Sequence, residues 1–131
     1  MSFSDDIRRF TTKTVEAHNK ITRTATLELF SGVIKATPVD TGRARGNWQT
    51  AVGSPAQAET ERLDKSGGEA IAEVEAKTPE GAGQVTYLSN NLPYIEELEN
   101  GSSTQAPEGM VRKNMDRVQR MVETAIRKNK V

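Results

Sequence analysis

A helical apolar rhythm that enters at Ser4 has to stop before Pro38, and that stop divides the chain. Ile7, Phe10, Thr14, Ala17 and Ile21 recur at helical spacing, and from Leu27 the pattern thickens through Leu29, Phe30, Val33 and Ile34. Ser4 is placed to cap the run, with Asp5 and Asp6 in the first turn, where the helix dipole favours acids. Pro38 pushes the residue before it away from helical angles and ends the element. The expected helix covers residues 4–36 and, at about 1.5 Å per residue, is roughly 50 Å long. One domain of 131 residues needs less than that, so the sparse residues 1–19 are expected to project or to lie on a neighbour.

A second helical pattern closes the chain. Val111, Met115, Val118, Val122 and Ala125 form a narrow apolar seam. Pro107 suits a first helical position and Glu108 a first turn, so the spacing predicts a helix over residues 107–128. Between the two ends, residues 45–52 read as a strand in which Trp48, Thr50 and Val52 alternate with Asn47, Gln49 and Ala51. Residues 55–67 are polar and weakly patterned and read as a mobile loop. Residues 67–77 read as a short helix with Ala70, Ile71 and Val74 on one face, a strand being the second reading. Residues 84–89 give the clearest strand, with Val85 and Tyr87 facing one way and Thr86 and Leu88 the other. Pro93 opens a short helix through Glu99, which Asn100 and Gly101 stop. The whole is an α+β single domain over residues 1–131: a long N-terminal helix, a small antiparallel sheet, short helices and a long C-terminal helix. Two strands alone are marginal, so a third strand or a neighbour's strand is expected. The expected core is Leu29, Ile34, Trp48, Val85, Met115 and Val118.

Hydrophobic residues make up 34% of the chain and charged residues 27%, a thin core for the length. Either some segments are therefore expected to stay mobile, or part of the apolar surface is completed by a partner. The chain has no cysteine, which excludes disulfides and cysteine-based zinc sites. Residues 1–10 carry Asp5, Asp6, Arg8 and Arg9 and do not read as a signal peptide, and no stretch approaches the length of a membrane span. Net charge is zero but unevenly spread. Residues 59–80 hold seven acids against three bases, net −4, and residues 108–131 seven bases against three acids, net +4. Solvated faces account for such a split. Head-to-tail contact between an acidic patch and a neighbour's basic helix accounts for it as well, and contacts of that kind build rings.

Asp40-Thr41-Gly42 spells the tripeptide of aspartic proteases, but the chemistry around it is wrong. That reaction needs two carboxylates sharing a proton. Here Arg43 and Arg45 flank the acid and would hold it ionised. A structural reading fits better: Pro38 stops the helix, Asp40 and Thr41 bond backbone amides, and Gly42 admits positive φ. His18 is the lone histidine and lies on a polar stretch, so no histidine pair is available for a transition metal. No nucleophile-elbow serine and no phosphate-binding glycine loop occurs. No catalytic, cofactor or metal site is expected. Lys113, Arg117, Arg120 and Arg127 form a basic stripe opposite the apolar seam, suited to a channel containing DNA or to a subunit contact. Asp116 lies four residues from Arg112 and Arg120, and Glu123 four from Arg127, as in helix-stabilising pairs. No aromatic interrupts the stripe, which speaks against stacking on single strands.

Two segments, TPVDTGRARGNWQ after the first helix and YLSNNLPYIEELENGSSTQAPEGMV before the last, occur in an order and at a distance that resemble the neck or tail-completion proteins of long-tailed bacteriophages. That family includes the lambda-like minor tail protein Z. The resemblance spans residues 20–125 and is weakest over residues 55–80. It implies a non-enzymatic structural component of the virion neck, assembled in the host cytoplasm as a ring that helps join a DNA-filled head to a finished tail. A hexamer is expected on a six-fold tail tube, with head-connector and tail-terminator or tail-tube proteins above and below. The alternatives are a tail terminator, a head-completion connector, or a prophage-derived DNA-binding or interaction module. By the resemblance, Pro38, Asp40, Thr41, Gly42 and Arg43 form a corner, with Arg43 or Arg45 pairing to a neighbour's glutamate. Trp48 anchors sheet to helices. Asn91, Pro93, Tyr94, Glu97, Gln105 and Pro107 form a second corner near a subunit contact.

Overall fold

The structure, a computed structural model, describes residues 3–81 and 83–128, with the backbone alone for residues 3–8 and 10–15. Five helices and two strands follow one another among the described residues. They are α1 (Phe3–Ala36), α2 (Arg43–Gly46), β1 (Gln49–Val52), α3 (Gly68–Lys77), β2 (Thr86–Ser89), α4 (Ile95–Glu99) and α5 (Val111–Lys128). The class is α+β, with the long helices at the two ends and a two-stranded antiparallel sheet between them. The expectation that residues 1–19 project rests mostly on side chains outside the described residues, as does the contribution of Lys130 to the basic C-terminus.

α1 is the spine. Its terminal carbonyls are closed by side chains, as helix ends require. The Thr37 hydroxyl donates to Val33 O (2.8 Å), and the Arg45 guanidinium donates to Lys35 O (2.8 Å) and Thr37 O (2.9 Å). α5 packs along one side of α1, and α3 packs on it as well. The α1–α5 seam begins early: Ala17, Ile21 and Thr24 share a cleft with Met121, Val122 and Ala125. Farther along, Phe30, Val33 and Ile34 join Trp48, Ala70, Val74, Ala106 and Met110 in the core.

Strand β1 is shorter than alternation predicts. Residues 43–46 turn into helix and Trp48 precedes the strand. The backbone decides this: Gly42, at φ 88°, reverses the chain, and its carbonyl accepts the Gly46 amide at 2.9 Å. β1 pairs with β2 in the register Thr50↔Leu88 and Ala51↔Tyr87. Thr50 is buried and Leu88 packs against the core, so Tyr87 and Val85 face away from it. Val85 is 60% exposed, which removes it from the expected core.

Two helix starts also differ. α4 begins at Ile95 and α5 at Val111, so Pro93 and Pro107 lie in the turns before them. Before α4, buried Leu92 accepts the Ile95 amide. Before α5, Gly109 takes φ 84°, and the helix is opened by a distant acid described below. Within α5, Met115 is 54% exposed and Asn114 is buried beside Val118. The polar residue goes inward because its amide donates to Met110 O (2.8 Å) and its carbonyl accepts from Arg117. The apolar seam therefore runs through Val111, Asn114, Val118, Met121 and Ala125 rather than through Met115.

Candidate functional site

The corner at residues 38–43 is built from backbone geometry. Thr41 Oγ1 accepts the Arg43 amide at 3.3 Å, whereas exposed Asp40 accepts no such bond, so the expected turn rests on the threonine. A Cβ on Gly42 would lie 2.6 Å from Lys65 N and 2.8 Å from Asp64 N, and its positive φ disfavours any side chain. Asp64, nearly fully buried, accepts the amides of Gly67 (3.1 Å) and Ala70 (2.9 Å) and so opens α3. The loop at residues 53–66 is tied in by Asn47, whose Oδ1 accepts the Thr60 amide, and by Arg62.

The two corners meet. Gln105 reads both polar groups of the Val39 backbone: Val39 N donates to Oε1 at 2.9 Å, and Nε2 donates to Val39 O at 3.2 Å. Beside this clasp lies an open cleft of about 300 Å³, with Pro38, Asp40, Thr41 and Arg43 on one wall and Tyr94, Leu98 and Ser103 on the other. Asp40 is the one carboxylate among the described residues that line the cleft. Asn91 donates to Ala56 O (2.9 Å) and Ala58 O (3.2 Å), holding the loop rather than the cleft. Tyr94 lines the cleft and is partly exposed, while Pro93, Glu97 and Pro107 are exposed and are not among its lining residues.

The arginines divide by task. Arg43 pairs with Glu59 of its own chain at 2.9 Å, both side chains being about half exposed. Arg45 is consumed by Lys35 O, Thr37 O and Lys65 O, which takes it out of the expected pairing with a neighbour's glutamate. Trp48 is buried, and its indole N–H donates to Thr37 Oγ1 at 2.8 Å, linking sheet to helix as the anchor reading requires.

Glu99 has a role the sequence did not reveal. Its carboxylate accepts the amides of Met110 (2.7 Å), Val111 (2.8 Å) and Arg112 (3.1 Å), and pairs with the Arg112 guanidinium at 3.1 Å. Partial burial pushes its pKa up. The backbone amides and Arg112 pull it down further, and the net value falls below the ordinary 4.5. The acid arrives from twelve residues before the first residue of the helix it caps, beyond the reach of any local capping pattern.

Lys113, Arg120 and Arg127 are exposed at seven-residue intervals and make no ion pair among the described residues. Arg117 leaves the stripe for α1, where it meets the Glu28 carboxylate (3.3 Å) and carbonyl (3.1 Å). The expected pairs of Asp116 and Glu123 with arginines on the same helix do not form. Arg112 goes to Glu99, and Glu123 accepts from Gln119. Among the described residues, no group of three or more His, Cys, Asp or Glu side chains is placed to hold a metal, and no helix is long and apolar enough to cross a membrane. No protein-family model, curated protein or solved structure matches the chain.

Proposed function

We propose that the chain is a structural subunit of a bacteriophage neck, forming a ring that helps join a DNA-filled head to its tail. The observation that carries the reading is the Gln105–Val39 clasp. It joins the two segments that resemble the family, although 66 residues separate the partners. A pair of corners held together this way forms one feature with an open cleft, and Glu96 and Glu97 are exposed acids on α4, the helix that gives Leu98 to that cleft. The free basic stripe on α5 supplies the opposite charge for a neighbouring copy. Exposed Leu63, Met115 and Ile126 fit a subunit whose apolar surface is completed on assembly.

The test is a nonsense codon in the gene, within the phage genome that carries it, followed by electron microscopy of the lysate. Full heads beside separate tails of normal length are expected. Overlong tails would move the protein to length termination, and normal infectious particles would remove the neck reading.

A further inference from the structure

The sheet has two outer edges, and they are treated differently. In an antiparallel pair, residues alternate between those bonding to the partner strand and those whose N–H and C=O point outward. Gly53 N donates to Val85 O at 2.9 Å, which puts positions 49, 51 and 53 on the inward phase and 50 and 52 on the outward phase. Thr50 agrees, because its N–H leaves the sheet and donates to Glu73 Oε1 at 2.8 Å. On this outer edge of β1, Arg62 also donates to Trp48 O (2.7 Å) and Gly46 O (2.9 Å) and pairs with Glu73 at 3.4 Å. An arginine–glutamate pair thus closes the edge of β1, and α3 lies against the strand.

The same register leaves Thr86 and Leu88 with their N–H and C=O groups pointing out of β2. No described group bonds them. Nor does the sequence guard them: residues 81–95 contain no charged side chain, in a chain that is 27% charged. Edge strands of monomers are usually protected by charge, proline or a covering element. One edge here has that protection and the other lacks it.

We propose that the outer edge of β2 docks β2 of a second copy of this chain, antiparallel, making one continuous four-stranded sheet. Self-pairing centred on Tyr87 sets Thr86 opposite Leu88 of the other copy. Both residues are in the outward phase, so each pair exchanges two hydrogen bonds and every free group is satisfied. Tyr87 then faces its own counterpart at the close, non-hydrogen-bonded position, where aromatic cross-strand pairs are favourable. The strand carries no charge to repel itself, and the two-stranded sheet, marginal alone, gains the strands it lacks. A strand from an unrelated protein would need no such self-matching register. A two-fold contact closes on itself and does not build a ring, so this surface is independent of the neck assignment and either can fail alone.

The full chain is examined by analytical ultracentrifugation over a concentration series, with amide hydrogen exchange at both extremes. Species of 14.4 kDa and twice that mass are expected in concentration-dependent equilibrium, with the Thr86 and Leu88 amides protected only in the larger one. Thr86→Pro removes an outward N–H that the internal sheet does not use, and it should weaken the dimer by roughly tenfold or more. Tyr87→Lys and Tyr87→Glu should each be monomeric when alone and should form a mixed dimer when combined, which controls for misfolding. A wild-type chain that stays at 14.4 kDa throughout overturns the proposal. So does a dimer that leaves the Leu88 amide unprotected, or a pair of charge variants that fails to recombine while both keep the wild-type circular dichroism spectrum.

Discussion

Trp48 and Thr37 show how single residues tie this fold together. The Thr37 hydroxyl passes a hydrogen bond from the indole to Val33 O, so one buried chain of donors joins the start of the sheet to the end of α1. Trp48→Ala removes that link and opens a cavity, at a cost of about 3–5 kcal/mol. Urea denaturation of the purified chain measures it, and a loss below about 1 kcal/mol would mean the site collapses without cost. Glu99 gives a different kind of prediction. Its folded pKa is depressed, so its stabilisation is present above the ordinary value of 4.5 and is lost as pH falls through the lower folded value. Glu99→Gln keeps one acceptor but loses the charge that serves three amides and a guanidinium. At pH 7 the variant should be less stable by roughly 1–2 kcal/mol, the usual worth of a helix cap. The gap to wild type should stay flat down to about pH 5 and shrink below it, as carboxylate titration requires. Equal acid sensitivity of the two proteins would show that the cap carries no net charge effect.

Elements were legible in the sequence where apolar period and stop signals agree. Both long helices, α3, and the pairing-competent strand at residues 86–89 are of that kind. The starts of α2 and α5 were not: the positive φ of Gly42 turns residues 43–46 into helix where alternation suggests strand, and α5 is opened by Glu99, which is distant in sequence. The closed edge of β1 was equally hidden, since Arg62 and Glu73 stand eleven residues apart on a loop and a helix. The corner segments could be read as corners, but nothing local told that Gln105 would clasp Val39. α5 offers the sharpest test of how its seam is rotated. Val118 is buried and Met115 is 54% exposed, although spacing alone treats them alike. Val118→Ala should cost about 1.5–3 kcal/mol, the scale of one buried side chain. Met115→Ala should stay within about 0.5 kcal/mol. Thermal melts of the two variants decide between the observed seam and the simple 4-3-4-3 seam, which would make the losses equal.

For the whole molecule, the thin core and the uneven charge bear on assembly together. Apolar side chains that the fold leaves outside, Met115 and Ile126 among them, lie on α5 three turns apart and thus along one line of the helix. On the far side of the helix from that line runs the free basic stripe of Lys113, Arg120 and Arg127, while Glu96 and Glu97 stand exposed on α4 without an ion pair among the described residues. A head-to-tail contact that sets α5 of one copy against α4 of the next would neutralise both and repeat around a ring. Exposed charges attract over about 10 Å at 0.1 M salt and about 3 Å at 1 M. A ring held this way should therefore shed subunits as salt rises between those limits, with the change read by light scattering. Arg120→Glu combined with Arg127→Glu should leave the chain unable to form the ring, and Glu96→Lys with Glu97→Lys should do the same. Mixing the two variants should restore a ring of alternating copies, because each interface then sets an acidic α5 against a basic α4 or a basic α5 against an acidic α4. Placing all four substitutions in one chain reverses both sides of every interface and should also restore a ring. Failure of the fourfold variant, with each protein folded by circular dichroism, would move the subunit contact away from these charges and leave the apolar line of Met115 and Ile126 to carry it.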